Sequence, residues 1–240
     1  MDRLATTSDT QRATTCKVAV CAAPAELAPG SVEWELLCAA VARAAPDLLL
    51  LNEMPFGPWI SSGASFSDAA WKCSLDLHEQ GLAQLDELGA GTVTGSRPRW
   101  IAGRRLNEAF VWSRAAGLRG AHTKQHFPNE AGYYEARWFD AGPRNFAATE
   151  AAGLKARFLI CTDLMFNEHA RRYGRSGVDV LLVPRAVGAG SLRRWLVAAR
   201  MAAIVSGAYV LSSNRTGADA KAQVFGGAGW IIDPAGDVLA

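Results

Sequence analysis

The segment Pro46-Asp47-Leu48-Leu49-Leu50-Leu51 narrows the fold more than any other. An apolar run without alternation, entered from a proline, predicts a strand over residues 47–51 buried on both faces. Such a strand needs cover above and below. The rest of the chain offers it, because further strands (17–23, 92–94, 106–113, 117–127, 157–162, 179–183, 209–213) interleave with helices (31–45, 68–88, 167–176, 191–206). Pro29-Gly30 precedes the first helix and Ser31 is placed to cap it. Leu75, Leu82, Leu85 and Leu88 share roughly one helical face. Pro184 stops the strand over 179–183, and segments 225–233 and 237–239 read as a hairpin around Pro234-Ala235-Gly236. Residues 55–67 read as loop, and 128–150 as loop with short helical pieces. This order predicts an α/β protein with mixed sheets covered by helices. About ten strands fit two packed sheets better than one.

Composition sets the limits. The 240 residues carry a net charge of +2, 20% charged and 50% apolar residues, which excludes wholesale disorder. We read 1–15 as a disordered tail and 16–240 as one domain, long enough to bury a core without staples. The charge balance lacks a nucleic-acid footprint. No apolar run reaches the ~18 residues that span a bilayer, and residues 18–23 are too short for a signal h-region. Five cysteines with no C-x-x-C pair point to a reduced, cytoplasmic setting rather than a disulfide framework.

Three segments carry chemistry. In Phe158-Leu159-Ile160-Cys161-Thr162-Asp163, a strand delivers Cys161 to its end, before a helix that begins near Asn167. The helix start favours thiolate, and the Thr162 backbone N–H is a candidate oxyanion donor. A free cysteine is otherwise a small buried hydrophobe, which is the reading for Cys16, Cys21, Cys38 and Cys73. Lys124, one of five lysines against twenty arginines, lies in His122-Thr123-Lys124-Gln125-His126-Phe127-Pro128. Glu53 ends the apolar strand, where a buried-edge carboxylate needs a partner.

Taken together, these segments resemble the nitrilase, or carbon–nitrogen hydrolase, superfamily. Its glutamate, lysine and cysteine motifs occur here in the family's order as Glu53, Lys124 and Cys161. Further matches are Gly177–Pro184, Ala199-Arg200-Met201-Ala202-Ala203, Ser213-Asn214-Arg215-Thr216-Gly217 and the stretch from Gly226 to Gly236. The resemblance implies a four-layer αββα sandwich with two mixed β-sheets, often paired into a homodimer or higher homo-oligomer. It implies cleavage of a non-peptide C–N bond in a small amide, N-carbamoyl compound or nitrile through a cysteine acyl-enzyme, with no cofactor and no metal. Cys161 would be the nucleophile, Glu53 the base, and Lys124 with the Thr162 N–H the oxyanion donors. Glu135, in Tyr133-Tyr134-Glu135, matches the second glutamate often found near the lysine and would orient Lys124 or the substrate. For Glu130 a solvated loop acid is the better reading. Asn52 and Asn167 stand where the family commonly has proline. The chain ends at Ala240, where members usually continue, so a fragment or a short member is expected.

Trp59, Tyr134, Trp138 and Phe166 flank the motifs and are candidate substrate contacts, with core packing an equal reading for each. Arg185 is a candidate for a substrate carboxylate. Thr162-Asp163 after the cysteine leans towards amides over nitriles. A Cys–His hydrolase using His122, His126 or His169 is one rival. A metal site on His122 and His126 is another, but four strand residues span roughly 13 Å, too far for one ion. A catalytically inactive binding protein on the same fold is the third.

Overall fold

The computed structural model describes residues 15–143, 147–219 and 222–240. The expected tail over 1–15 lies almost wholly outside the described residues. Two sheets lie face to face between helices. The first has the order β1 (Val18–Val20), β3 (Leu48–Leu50), β4 (Thr92–Ile101), β5 (Arg104–Ser113), β6 (Gly117–Thr123). The second runs β11 (Val224–Gly226), β10 (Tyr209–Ala218), β9 (Val180–Arg185), β8 (Leu154–Phe158), β7 (Thr149–Ala151). β12 (Trp230–Ile232) and β2 (Ala22–Pro24) also pair with β10.

The apolar run reports directly on the layers. Leu48 and Leu50 pack with Ala109, Val111, Phe158 and Leu182 between the sheets. Leu49 and Leu51 point the other way, into a cluster with Trp34 and Val41 of α1 (Val32–Ala44) and Leu82 of α2 (Asp68–Ala83). On the far side, Ala170 and Tyr173 of α4 (Asn167–Arg175) and Ala199, Ala202 and Ala203 of α5 (Leu192–Ser206) cover the second sheet. The result is the αββα sandwich. Ser31 caps α1 as expected, accepting from the Trp34 N–H at 3.1 Å.

Several boundaries differ from expectation. The strand over 17–23 breaks at Cys21: β1 joins the first sheet and β2 the second, so this segment stitches the two together. The helix over 68–88 ends at Ala83 and continues as a 3₁₀ turn, Leu85–Leu88. The strand over 92–94 extends to Ile101, in a ten-residue register with β5. Its turn, Ala102-Gly103, has φ of 50° and 76°, both left-handed as a two-residue hairpin of this type requires. Segment 225–233 is two strands, β11 and β12, both laid on β10, while the hairpin around Pro234 closes through an Ile232–Val238 bridge. The loop over 128–150 contains α3 (Glu135–Trp138) and the start of β7, and its residues 144–146 lie outside the described set.

Candidate active site

Three strand ends meet at one edge of the sandwich. Glu53 follows β3, Lys124 follows β6 and Cys161 follows β8. The expected strand over 117–127 stops at Thr123, and the one over 157–162 stops at Phe158. Both chains must leave their sheets to bring the side chains together. Cys161 opens a 3₁₀ turn, Cys161–Met165, with φ +46°. A left-handed conformation costs a non-glycine residue about 1–3 kcal/mol and persists only where the surroundings enforce it.

The Lys124 ammonium lies between two carboxylates, 2.8 Å from Glu53 Oε1 and 2.6 Å from Glu135 Oε2. All three side chains are buried. Asn107 Nδ2 also donates to Glu53 Oε1, at 2.8 Å. Glu53 Oε1 is thus doubly engaged, whereas Glu53 Oε2 and Glu135 Oε1 are buried without a partner.

The backbone around these groups is clamped. Arg215 of β10, fully buried, donates to the carbonyls of Glu53 (3.1 Å), Gly57 (3.1 Å), Ala25 and Met54. The Glu53 N–H donates to the Arg185 carbonyl at 3.2 Å, tying the two sheets together beside the site. Asp163 Oδ1 accepts from the N–H groups of Gln125 (3.1 Å) and His126 (3.0 Å), so the residue two past the cysteine fixes the segment just past the lysine. Sequence reasoning missed Asn107 and Arg215 as scaffold. The polar pair Asn107-Glu108 amid Leu106–Val111, and an arginine within the buried strand β10, were the available signals.

Burial pushes the Cys161 thiol well above the ordinary cysteine value; Glu53 pushes the same way and Lys124 opposes. The resting sulfur is therefore a thiol that needs a base. Burial alone would lower the Lys124 ammonium, but Glu135 and Glu53 outweigh it and hold the group charged. Burial, opposed by Lys124 and aided by Glu53, pushes Glu135 up to about 8. At neutral pH Glu135 is then mostly protonated, which leaves one ammonium facing one carboxylate.

A cavity of about 310 Å³ opens onto Cys161, with Thr162, Glu135, Tyr133, Glu130 and Arg194 among its walls. The predicted aromatic contacts do not line it. Trp59 and Trp138 are in the core with Met54, Ile60 and Phe139, and their indole N–H groups donate to the carbonyls of Gly132 (3.2 Å) and Gly63 (2.7 Å). Phe166 stacks outside on His126, ring centroids 3.4 Å apart. Tyr134 lies off the cavity; its neighbour Tyr133 forms the wall instead. Arg185 also lies elsewhere: it is buried, donates to Ser212 Oγ (2.6 Å) and the Ala228 carbonyl (2.7 Å), and sits over Trp230. The arginine on the cavity wall is Arg194.

The histidines are engaged away from the sulfur. His122 Nε2 lies 3.2 Å from Asp163 Oδ2, and His126 Nε2 lies 2.9 Å from His169 Nε2. None of the three lines the cavity. Among the described residues, no group of three His, Cys, Asp or Glu is placed to hold a metal ion, and no helix is long and apolar enough to cross a membrane.

The αββα fold, with a glutamate, a lysine and a cysteine at converging strand ends, places the chain in the class of four-layer sandwich proteins with a buried cysteine at one edge. The carbon–nitrogen hydrolase family profile matches residues 17–240, and the chain belongs to that family. It is 29% identical over 133 residues to a citrullinase from Francisella tularensis subsp. tularensis, covering 51% of this chain and 46% of that protein. The chain thus matches about half of that relative's length. Its fold is similar to a carbon–nitrogen hydrolase from Helicobacter pylori G27 (TM-score 0.77, 21% identity, 94% of this chain and 84% of that one). It is also similar to an amidase from Nesterenkonia sp. AN1 whose active-site cysteine carries the acetamide moiety of fluoroacetamide (TM-score 0.75, 19% identity, 95% and 86% covered).

Proposed function

We propose that the protein hydrolyses a non-peptide C–N bond of a small amide or N-carbamoyl compound through an acyl-enzyme on Cys161. One observation carries the reading: the buried Lys124 ammonium bridges Glu53 and Glu135 at 2.8 and 2.6 Å, beside a cysteine that walls a small cavity. The cysteine adduct of the Nesterenkonia amidase supports the same role for Cys161.

In this mechanism Cys161 Sγ attacks the carbonyl carbon while its proton passes to Glu53. The unpartnered Glu53 Oε2 is the free position for that proton, since Lys124 and Asn107 hold Oε1. Charge develops on the substrate oxygen, where the Lys124 ammonium and the Thr162 N–H stabilise it. Collapse breaks the C–N bond, and the proton on Glu53 leaves with ammonia or amine. Glu53 then takes a proton from water, whose oxygen attacks the thioester and frees the acid and the thiol. Glu135 positions the lysine, and its free Oε1 faces the substrate nitrogen.

The test is ammonia or amine release from aliphatic amides, ureido compounds and nitriles, for wild type, Cys161→Ala and Glu53→Gln. Amide or ureido release lost in both variants supports the reading. Release from nitriles alone moves it to a nitrilase on the same residues. Tight binding without release or a cysteine adduct makes it an inactive binding member.

The proposal extends to setting and assembly. Five free thiols fit a reducing cytoplasm. Val197, Met201 and Ile204 expose one apolar face of α5, fit for a homodimer or higher homo-oligomer that light scattering would reveal.

A further inference from the structure

Arg185 is a buried charge that the reaction above leaves unused. It is 0% exposed, and among the described residues no carboxylate pairs with it. Its guanidinium donates to Ser212 Oγ at 2.6 Å and to the Ala228 carbonyl at 2.7 Å, lies 4.1 Å from the centroid of the Trp230 ring, and keeps Nη1 without a partner. A buried charge without a contact counter-ion is expensive, and a ring face offsets only part of the cost. Burial lowers the group to about 10, opposed by Cys161 and then Glu53, so it stays charged at neutral pH and its charge acts on the nucleophile and the base.

The backbone at Arg185 reaches the same two residues. The Arg185 carbonyl accepts the Glu53 N–H at 3.2 Å. Ala186 is buried and borders the cavity with Cys161, and its N–H eases ionisation of the Cys161 thiol against burial. The Val187 N–H donates to Asn214 Oδ1 at 2.9 Å, and the Val187 carbonyl accepts from Asn214 Nδ2 at 3.2 Å. Residues 185–187 are thus fastened to β10 at both ends, through Ser212 and Asn214, with the residue that borders the cavity between them. Resting on the hydrolase reading for the roles of Cys161 and Glu53, we propose that Arg185 is a positioning residue for both: its side chain, tied to Ser212 and packed on Trp230, fixes the strand end that holds the Glu53 backbone and lays Ala186 beside Cys161, and it supplies a fixed positive charge. The charged and titratable groups around the pair are then Glu53, Lys124, Glu135, Tyr133 and Arg185 for the sulfur, with Arg215 also facing Glu53. Lys124 is shared between two carboxylates, whereas Arg185 is held by none.

Alkylation by iodoacetamide reads the nucleophile without turnover, and peptide mass spectrometry follows Cys161 apart from the other cysteines. The rate is measured from pH 6 to pH 10 in wild type, Arg185→Met, Arg185→Lys and Ser212→Ala, with near-ultraviolet circular dichroism as the check on folding. Arg185→Met keeps much of the volume and removes the charge, so the rate at pH 8 falls about tenfold and the pH profile moves up by about one unit. Arg185→Lys keeps the charge and restores the position of the profile. Ser212→Ala keeps the charge and frees one anchor, which lowers the rate at every pH by roughly threefold and leaves the profile in place. A folded Arg185→Met with the wild-type rate and profile overturns the inference, as does an Arg185→Lys shifted as far as Arg185→Met. If Arg185→Met does not fold, Ser212→Ala decides: a wild-type rate overturns the inference and a uniform fall supports it. An Arg185-dependent rate with no release from the amide, ureido and nitrile panel upholds the positioning role and overturns the hydrolase; release with an Arg185-independent rate does the reverse.

Discussion

Replacing Lys124 by methionine keeps most of the side-chain volume and removes the one charge that two buried carboxylates share. Lys124 and Glu53 are 0% exposed and Glu135 is 1% exposed, so solvent cannot take the ammonium's place. Removing one partner of a buried ion pair typically costs about 3–5 kcal/mol. For a domain of this size that corresponds to a Tm lower by about 6–20 °C. The loss also depends on pH. Glu135 already sits at about 8, and Lys124 is what holds it down against burial and Glu53. Without the ammonium it rises further. The folded variant then keeps a proton that the unfolded chain releases near the ordinary carboxylate value, so its stability falls as pH rises above that value. Wild type keeps the same proton up to about pH 8, so the deficit against it stays level between pH 5 and 7 and widens as pH rises past 8. Lys124→Met with Glu135→Gln removes the carboxyl group whose proton the folded variant retains, and recovers the part of the loss that appears at high pH. Urea unfolding of wild type, single and double variants at pH 6 and pH 9.5 is the assay. A loss under about 1 kcal/mol at pH 6, or one that does not widen at pH 9.5, refutes the electrostatic account of this cluster.

The remaining predictions concern the frame. Burial drives His78 down to about 3 from the ordinary histidine value. The unfolded chain therefore binds a proton that the native state refuses, and stability drops as pH falls between roughly 6.5 and 3; His78→Leu flattens that limb in denaturation followed by circular dichroism. A Cβ on Gly174 would lie 2.4 Å from the Ser206 carbonyl oxygen, where α4 crosses α5. Gly174→Ala must part the helices, at about 1–3 kcal/mol in thermal unfolding. Arg215→Lys cannot span the four carbonyls around Glu53. We expect a lower Tm and a kcat that falls more than KM changes, because Glu53 loosens without losing its chemistry.

Legibility in the sequence followed the range of the interactions. The αββα layers were readable because Leu48 to Leu51 declare burial on both faces by themselves, and the structure divides them between the inter-sheet core and the helix-facing cluster. The outer half of β4 was not, because Gly95 and Pro98 argue against a strand. What holds it is cross-strand: Arg97 meets Glu108 of β5 at 2.8 Å. The break at Cys21 was also hidden, since nothing local says that half of one apolar run belongs to the other sheet.

The same distinction governs the site. Glu53, Lys124 and Cys161 were legible as candidates because each sits in a local motif with a known order. Their joint placement depends on clamps between segments far apart in sequence. Asn107 reaches Glu53 across 54 positions, and Arg215 reaches the Glu53 carbonyl across 162. The pocket aromatics and Arg185 misled for a related reason. Nearness in sequence to a catalytic residue says little about direction, because successive strand side chains point to opposite faces. Arg185 ends β9 and turns into the protein, whereas Arg194, nine positions on and past a turn, starts the helix that faces the cavity. The strained and clamped positions lie just past strand ends, where sequence pattern constrains direction least.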